Sequence, residues 1–459
     1  MKNFIGRKSE LEKLNKEYDR QSSFVVMYGR RRVGKTTLIK EFIKDKNALY
    51  FLSTSELEVK NRSRFLVSVA DFTDMHYLKN SSFENWYDIF DIIAKHKPEE
   101  KKIVVIDEFQ YLVNSNPSFT SIFQKVWDDI LKDNNIMVIL CGSYISMMTT
   151  QVLDYSSPLY GRRTSQMKLK PLKFSEIQSG FSNLNFKELV NLYAVTGGVP
   201  KYLEFFDNNL GFFKNIEDEI LDKNGFLYEE PTFLLEKEVR ETMTYFSIIQ
   251  TIADGNHKIS KIASSLEVPA TKLTPYIRTL IDLSLVEKRI PVTEKNPEKS
   301  KKGLYYIADN FIEFWFKFVY PFKSELEMGN TDYVLNKIKN NLIDNHVSFV
   351  YEDICKEQLV TRAKELGLLV SKIGSYWDSK VEIDVVAIDN ENKKLILGEC
   401  KYNNKPMNDS VFYNLIQKSH SIKGYDDYEK VYILFSINKF DDRVKKLSKE
   451  RSDLLLFDD

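Results

Sequence analysis

The sequence predicts an α/β multidomain chain, and three observations carry that expectation. Between residues 24 and 146 four apolar, β-like runs ("FVVMYG", "ALYFLS", "KIVVIDE", "IMVILCGS") alternate with helical patterns, as in a parallel sheet covered by helices. The centre reads as helical, then as three short helices and a hairpin rich in Lys and Glu. The last third returns to strands ("LLVSKIG", "VEIDVVAID", "KLILGECKY", "KVYILFS") with a helix over 411–421. At roughly 150 residues per domain, 459 residues fill about three domains.

Composition narrows the classes. Hydrophobic residues make up 43% and charged residues 29%, which fits a globular protein with real cores. Lys+Arg and Asp+Glu both number 66, so no overall field draws the chain to DNA or membrane. Nucleic-acid contact would have to come from local patches. No run reaches the roughly 18 apolar residues of a transmembrane helix, so no membrane is expected. "MKNFIGRKSELEKL" lacks the apolar core of a signal peptide. Cys141, Cys355 and Cys400 have no metal spacing and fit reduced thiols in a cytoplasmic protein.

The first site follows the first strand. "GRRRVGKTT", residues 29–37, fits G-x-x-x-x-G-K-[ST] through Gly29, Gly34, Lys35 and Thr36. It joins an apolar strand to a helix, the context such a phosphate loop requires. Its glycines let backbone N–H groups curl around phosphate oxygens, and the helix start adds positive potential. Lys35 is expected at the β/γ-phosphates of ATP and the Thr36 hydroxyl at Mg²⁺. Val33 and Thr37 belong to the same cradle, and Arg30, Arg31 and Arg32 are expected to face solvent or a neighbouring domain. "KIVVIDEF" ends its strand on Asp107, suited to the Mg²⁺ shell, and Glu108, suited to polarise the attacking water. Ser143 tops the next strand in "VILCGS", as a γ-phosphate sensor or a strand-end cap. The fold expected here is a P-loop NTPase parallel sheet.

"FIGRKSELEKL", the phosphate loop, "IDEFQYL", "LCGSYISMM", "PLYGRRT" and "TGGVPKYL" together resemble the archaeal-type ATPases of the AAA+/STAND group. The resemblance covers about the first half of the chain. It implies that Gly6 and Arg7 lie near the adenine, and that Gly197, Gly198 and Pro200 belong to a helical lid touching the nucleotide. It also implies Arg162 or Arg163 as the cation that neutralises transition-state charge, in cis or in trans within a homo-oligomer. A salt-bridged loop is the other reading of those two arginines.

The middle segment, 257–290, has the rhythm of a helix-turn-helix. Ile259, Ile262, Ala263 and Leu266 form one apolar stripe, and Leu273, Ile277, Leu280 and Ile281 the next, with Thr271 as the expected N-cap. A hairpin over 285–307 completes a winged-helix domain. Residues 287–302 hold six basic and three acidic side chains. Bound to double-stranded DNA, Lys272, Thr274 and Arg278 would approach bases or phosphates; the alternative is a protein–protein module. The aromatic run at 311–322 has helical spacing and reads as core.

The last element is "EIDVVAIDNENKKLILGECK", residues 382–401. Pairing its strands about a turn at Glu391 and Asn392 sets Asp384 opposite Glu399, with Lys401 on the same face. Unpaired charges on a central strand cost several kcal/mol. Mg²⁺ held by Asp384 and Glu399, with Lys401 activating water, relieves that cost. Glu382 and Asp389 read as solvated ends, and Trp377 as core. The spacing resembles the PD-(D/E)xK nuclease superfamily, with Ile383 in place of the proline. That resemblance implies a restriction-endonuclease-like α/β domain with Glu352 as a further metal ligand and Gln417 near the site. A structural salt-bridge triad, or a nuclease fold that only binds DNA, stays open.

The expected boundaries are 1–170 for the ATPase core, 171–237 for the lid, 238–322 for the winged helix and 323–459 for the nuclease-like domain. The expected function is ATP binding and hydrolysis coupled to DNA binding and Mg²⁺-dependent phosphodiester cleavage. The alternative is a STAND-type regulatory ATPase whose C-terminal domain is an inactive binding or dimerisation module.

Overall fold

The computed structural model describes residues 4–458. The chain packs as two compact units. The first holds residues up to Leu172 together with Val199–Glu204 and Leu234–Arg240; the second holds Lys173–Gly198, Phe205–Phe233 and residues from Glu241 onward. The lid anticipated as one block over 171–237 is therefore divided between the units.

The first unit is built on five parallel strands: β1 (Ser23–Tyr28), β2 (Ala48–Leu52), β3 (Lys102–Asp107), β4 (Ile136–Gly142) and β5 (Ser165–Lys168). Their order is β2-β3-β4-β1-β5. Alternation along β1 explains why both sheet faces are covered. Phe24 and Val26 enter one core with Phe65, Trp86, Phe123 and Trp127. Val25 and Met27 enter the other with Leu14, Leu38, Ile39 and Phe42. A strand buried on both faces reads as a continuous apolar run, which is what β1, β3 and β4 show. β5 was not anticipated: it has four residues, alternates in burial and pairs only with β1.

In the second unit, helices Thr242–Ala253, Ile259–Ser265 and Ala270–Asp282 precede a hairpin of β6 (Val286–Arg289) and β7 (Leu304–Ile307). The helix expected to start after a Thr271 cap starts two residues earlier, with Pro269 at the N-cap (φ −60°, ψ 138°). The proline ring fixes that φ without needing a side-chain cap. Helix Asn310–Phe318 buries Phe311, Phe314, Trp315 and Phe318, so the aromatic run is core. The Trp315 indole N–H donates to the Tyr228 carbonyl at 2.8 Å.

The C-terminal sheet has the order β12-β11-β10-β9-β8, from β8 (Lys372–Trp377), β9 (Glu382–Asp389), β10 (Lys394–Lys401), β11 (Glu429–Ser436) and β12 (Leu454–Asp458). β8, β9 and β10 run antiparallel; β10, β11 and β12 run parallel. Helix Asp409–Ser419 crosses from β10 to β11, and helix Ser348–Arg362 packs on β9 and β10. Asp389 is fully buried rather than a solvated end. Its carboxylate accepts N–H groups of Leu369 and Asn392, at 2.8 and 2.9 Å, and so ties off the turn. Among the described residues no helix is long and apolar enough to cross a membrane.

Candidate nucleotide site and carboxylate–lysine centre

The phosphate loop leaves β1 at Tyr28. A Cβ on Gly29 would collide with the Leu169 carbonyl oxygen, and Gly34 caps the next helix at φ 88°. Glycine alone meets both demands cheaply. Lys35 is 6% exposed, and its ammonium donates to the carbonyls of Gly29 (2.7 Å) and Arg30 (2.9 Å). Burial lowers its pKa against the opposing pull of Cys141, Glu108 and Asp107. The lysine is thus folded over its own loop, where phosphate oxygens would compete for it.

At the end of β3, Asp107 is fully buried. Its Oδ2 accepts from the Thr36 hydroxyl at 2.8 Å and the Tyr50 hydroxyl at 2.7 Å. A carboxylate and a hydroxyl side by side are the oxygen ligands Mg²⁺ takes beside phosphates, so this donor set fits that ion. Glu108 sits at φ 54°, left-handed backbone that a non-glycine residue holds only under constraint. The Ser143 hydroxyl donates to Glu108 Oε2 at 2.7 Å, and the Gln110 amide donates to Glu108 and, at 3.1 Å, to Ser143. Gln110, unforeseen from the sequence, holds the pair together.

The three loop arginines are buried or half-buried rather than fully exposed. Arg30 is 5% exposed. Arg31 donates to the hydroxyls of Tyr111 (3.2 Å) and Tyr144 (3.1 Å). Arg32 is half-buried at φ 72°. Tyr111, on the short helix Gln110–Ser115 after β3, and Tyr144, just after β4, hold Arg31 half-buried. Arg7 is buried, left-handed at φ 64°, and donates to the carbonyls of Val33 (2.9 Å) and Lys170 (2.7 Å). Gly6 precedes it at φ 66°. A cavity of about 260 Å³ beside the loop is lined by Ile5, Arg7, Val33, Thr37, Pro200 and Glu204, among others. Its place beside the loop suits the nucleoside end of a nucleotide. Gly197 (φ 63°) and Gly198 (φ 68°) belong to the second unit, where Gly197 ends helix Phe186–Thr196. Arg162 is bound by Asp128 through contacts of 2.7, 2.9 and 3.0 Å. Arg163 lies over the Tyr160 ring and donates to the Leu153 carbonyl. Within one chain both guanidiniums are thus already engaged, Arg162 by Asp128 of helix Phe119–Asp129 and Arg163 by Tyr160 and Leu153.

Glu238 returns to the first unit on helix Glu230–Glu238 and lies 3.4 Å from the Ser146 hydroxyl. Burial pushes its pKa up to about 6, against N–H donation from Ile145 and Ser146.

In the C-terminal sheet the hairpin register is the one expected. Lys394 pairs with Asp389 and Gly398 with Val385, so the next step sets Asp384 against Glu399. The Cys400 N–H donates to Asp384 Oδ2 at 2.9 Å. Glu399, 7% exposed, is held by Lys401 at 2.9 Å and by Lys418 at 2.9 and 3.1 Å. Lys418, on helix Asp409–Ser419, was not singled out; its neighbour Gln417 was, and it is exposed. Glu352 faces the same centre. Burial and then the Asp384 charge push its pKa up to about 8. Burial and then Glu399 push Asp384 up to about 6, against Cys400, Lys401 and Lys418. Burial thus outweighs Lys356 at Glu352 and Lys401 and Lys418 at Asp384, a cost that a divalent cation would offset. Glu399 fits that role less well, because its oxygens already face two ammoniums. Among the described residues no group of three or more His, Cys, Asp or Glu is placed to hold a metal ion.

Lys272, Thr274 and Arg278 are exposed on helix Ala270–Asp282. The hairpin basic residues are less available. Arg289 pairs with Glu287 (2.6 Å) and Asp353 (2.7 Å), Lys302 pairs with Glu294 (2.7 Å), and the Val292 N–H donates to the Ser375 carbonyl on β8 (3.0 Å).

A phosphate loop after β1, an acidic pair ending β3 and a polar cap ending β4 define a P-loop NTPase fold. Residues 4–206 match the family described as "ATPase domain predominantly from Archaea". Residues 315–411 match one described as "Archaea bacterial proteins of unknown function". The uncharacterized protein MJECL04 of Methanocaldococcus jannaschii is 36% identical over 461 residues, 99% of each chain. The chain belongs to the family of that protein and carries the archaeal-type ATPase domain at its start. The uncharacterized ATP-binding protein MJ0423 of the same organism is 48% identical over 44 residues, 9% of this chain and 75% of that protein. The Walker-type ATPase PABY2304 of Pyrococcus abyssi superposes on 68% of this chain and 96% of its own, at 20% identity and a TM-score of 0.50. That likeness is one of fold.

Proposed function

We propose that the first unit binds and hydrolyses MgATP, and that this cycle switches a C-terminal centre that cuts phosphodiester bonds in double-stranded DNA with Mg²⁺. The observation that carries the reading is the meeting of Lys35, Thr36, Asp107, Glu108 and Ser143 at one edge of a parallel sheet. Lys35 serves the β/γ-phosphates, Thr36 and Asp107 the cation, and Glu108 takes the proton of a water steadied by Ser143. Mg²⁺, when bound, supplies charge neutralisation at the phosphates. The relative named as ATP-binding supports the nucleotide. The Asp384 charge acting on Glu352, from helix Ser348–Arg362, and the Glu399–Lys401 pair at 2.9 Å support the cleavage half.

One observation favours a second reading. Glu399 is neutralised by Lys401 and Lys418, as in a structural ion triad, which suits a regulatory STAND-type ATPase with an inactive C-terminal binding module. Supercoiled plasmid incubated with the chain and Mg²⁺ or Mn²⁺, with and without ATP, separates the two. Nicking by wild type that Asp384→Ala and Lys401→Ala both lose supports cleavage. Intact plasmid in every nucleotide state leaves the regulatory reading. For the ATPase half, Lys35→Ala is expected to abolish phosphate release; release that survives it refutes the site.

A further inference from the structure

We infer that Arg31, from inside the phosphate loop, supplies the positive charge that the departing γ-phosphoryl group requires. The inference rests on the ATPase reading above and replaces the outside arginines as its cation.

The geometry separates Arg31 from Arg162 by what each guanidinium already does. Arg162 spends its charge on the Asp128 carboxylate. Arg31 is held by neutral acceptors, the Tyr111 and Tyr144 hydroxyls, and lies 5.1 Å from the Tyr144 ring centre. Two phenols fix the direction of a guanidinium without cancelling its charge. Its Nε is buried and has no hydrogen-bond partner among the described residues. A buried donor left unmade is costly, and an anionic oxygen is the acceptor that best satisfies it.

The place is also right. Tyr111 follows Glu108 by three residues and Tyr144 follows Ser143 directly. The segments after β3 and β4 that carry the water-handling pair therefore also clamp Arg31. The charge of Glu108 is felt at Arg31 and that of Arg31 at Lys35, so the guanidinium lies near both. In the reaction, water oxygen bonds to the γ-phosphorus as the bond from that phosphorus to the β,γ-bridging oxygen breaks. ADP and inorganic phosphate leave, and the water proton passes to Glu108. Negative charge spreads over the γ-oxygens meanwhile, and Arg31 stands beside them.

The test uses the full chain and four variants: Arg31→Ala, Arg31→Lys, Arg162→Ala and Arg163→Ala, each checked for an unchanged melting temperature. Phosphate release and equilibrium binding of ADP, alone and with aluminium fluoride as transition-state mimic, are measured. Arg31→Ala is expected to bind ADP within about threefold of wild type, to lose the aluminium fluoride complex and to turn over about 100-fold or more slower. Arg31→Lys is expected to recover part of the rate, and Arg162→Ala and Arg163→Ala to stay within about threefold. Turnover by Arg31→Ala within threefold of wild type overturns the inference. So does an equal loss of ADP and ADP–aluminium fluoride, which would make Arg31 a loop-shaping residue. Should Arg31→Ala fail to fold, Arg31→Lys decides: full turnover and full mimic binding overturn it, and selective loss of both supports it. A wild type that releases no phosphate instead brings down the ATPase reading.

Discussion

Asp107, Glu108 and Ser143 were legible because each follows an apolar run, and a polar residue ending a buried parallel strand stands at the ligand edge. Gln110 and Lys418 were not, because what a side chain reaches across a fold leaves no local pattern. Glu108 is the sharpest residue to test. Glu108→Gln keeps the shape and the Ser143 contact but removes the base. ATP binding is expected within a few-fold of wild type, and single-turnover hydrolysis about 10²–10⁴-fold slower. A variant that hydrolyses at the wild-type rate would remove Glu108 from the chemistry. Glu238 offers a pH test. Its folded pKa, about 6, lies above the usual carboxylate value of 4.5, so the folded chain binds more protons between the two. Its ionisation therefore costs stability that is felt fully above about pH 6 and vanishes below 4.5. Glu238→Gln is expected to raise the unfolding free energy by about 1 kcal/mol near pH 7.5, allowing for partial solvent contact, and by nothing at pH 4. Denaturant titrations at both pH values check it; an equal gain at both would mean packing, not charge.

At the scale of elements, the β9–β10 register was legible because period-two alternation and a tight turn leave one solution. β5 and β12 were hidden: β5 is a four-residue edge and β12 is five residues at the chain end. Edge strands are bounded by partners rather than by pattern. Asp389 misled because a buried carboxylate that accepts turn N–H groups looks, in sequence, like an exposed one. β10 carries the centre only if its apolar face stays packed. Leu397, fully buried beside Val386 and Leu434, is the residue to truncate. Leu397→Ala is expected to cost about 2–5 kcal/mol in denaturant unfolding, whereas exposed Glu382→Ala stays within about 0.5. Comparable small losses from both would show that β10 does not hold the sheet.

At the scale of the molecule, the chain crosses between its units several times. The sequence could not show this. Val199–Glu204 and Leu234–Arg240 are too short to carry a periodicity of their own, so the stretch between them and the sheet read as one lid. Yet Pro200 and Glu204 line the cavity beside the phosphate loop, and Glu238 reaches Ser146. The first unit is thus completed by residues that follow its sheet by more than thirty positions, and nucleotide binding should stabilise a discontinuous body. Separate cores predict two calorimetric transitions rather than one. A ligand that binds one folded body stabilises it by about 2.7 kcal/mol at a hundred times its dissociation constant. MgATP at that level is expected to raise the transition of the first unit and leave that of the C-terminal sheet in place. In Lys35→Ala the shift should disappear. Equal movement of both transitions in wild type would mean that the crossings fuse the two cores into one cooperative body. Nucleotide would then govern the C-terminal centre through global stability rather than as a switch.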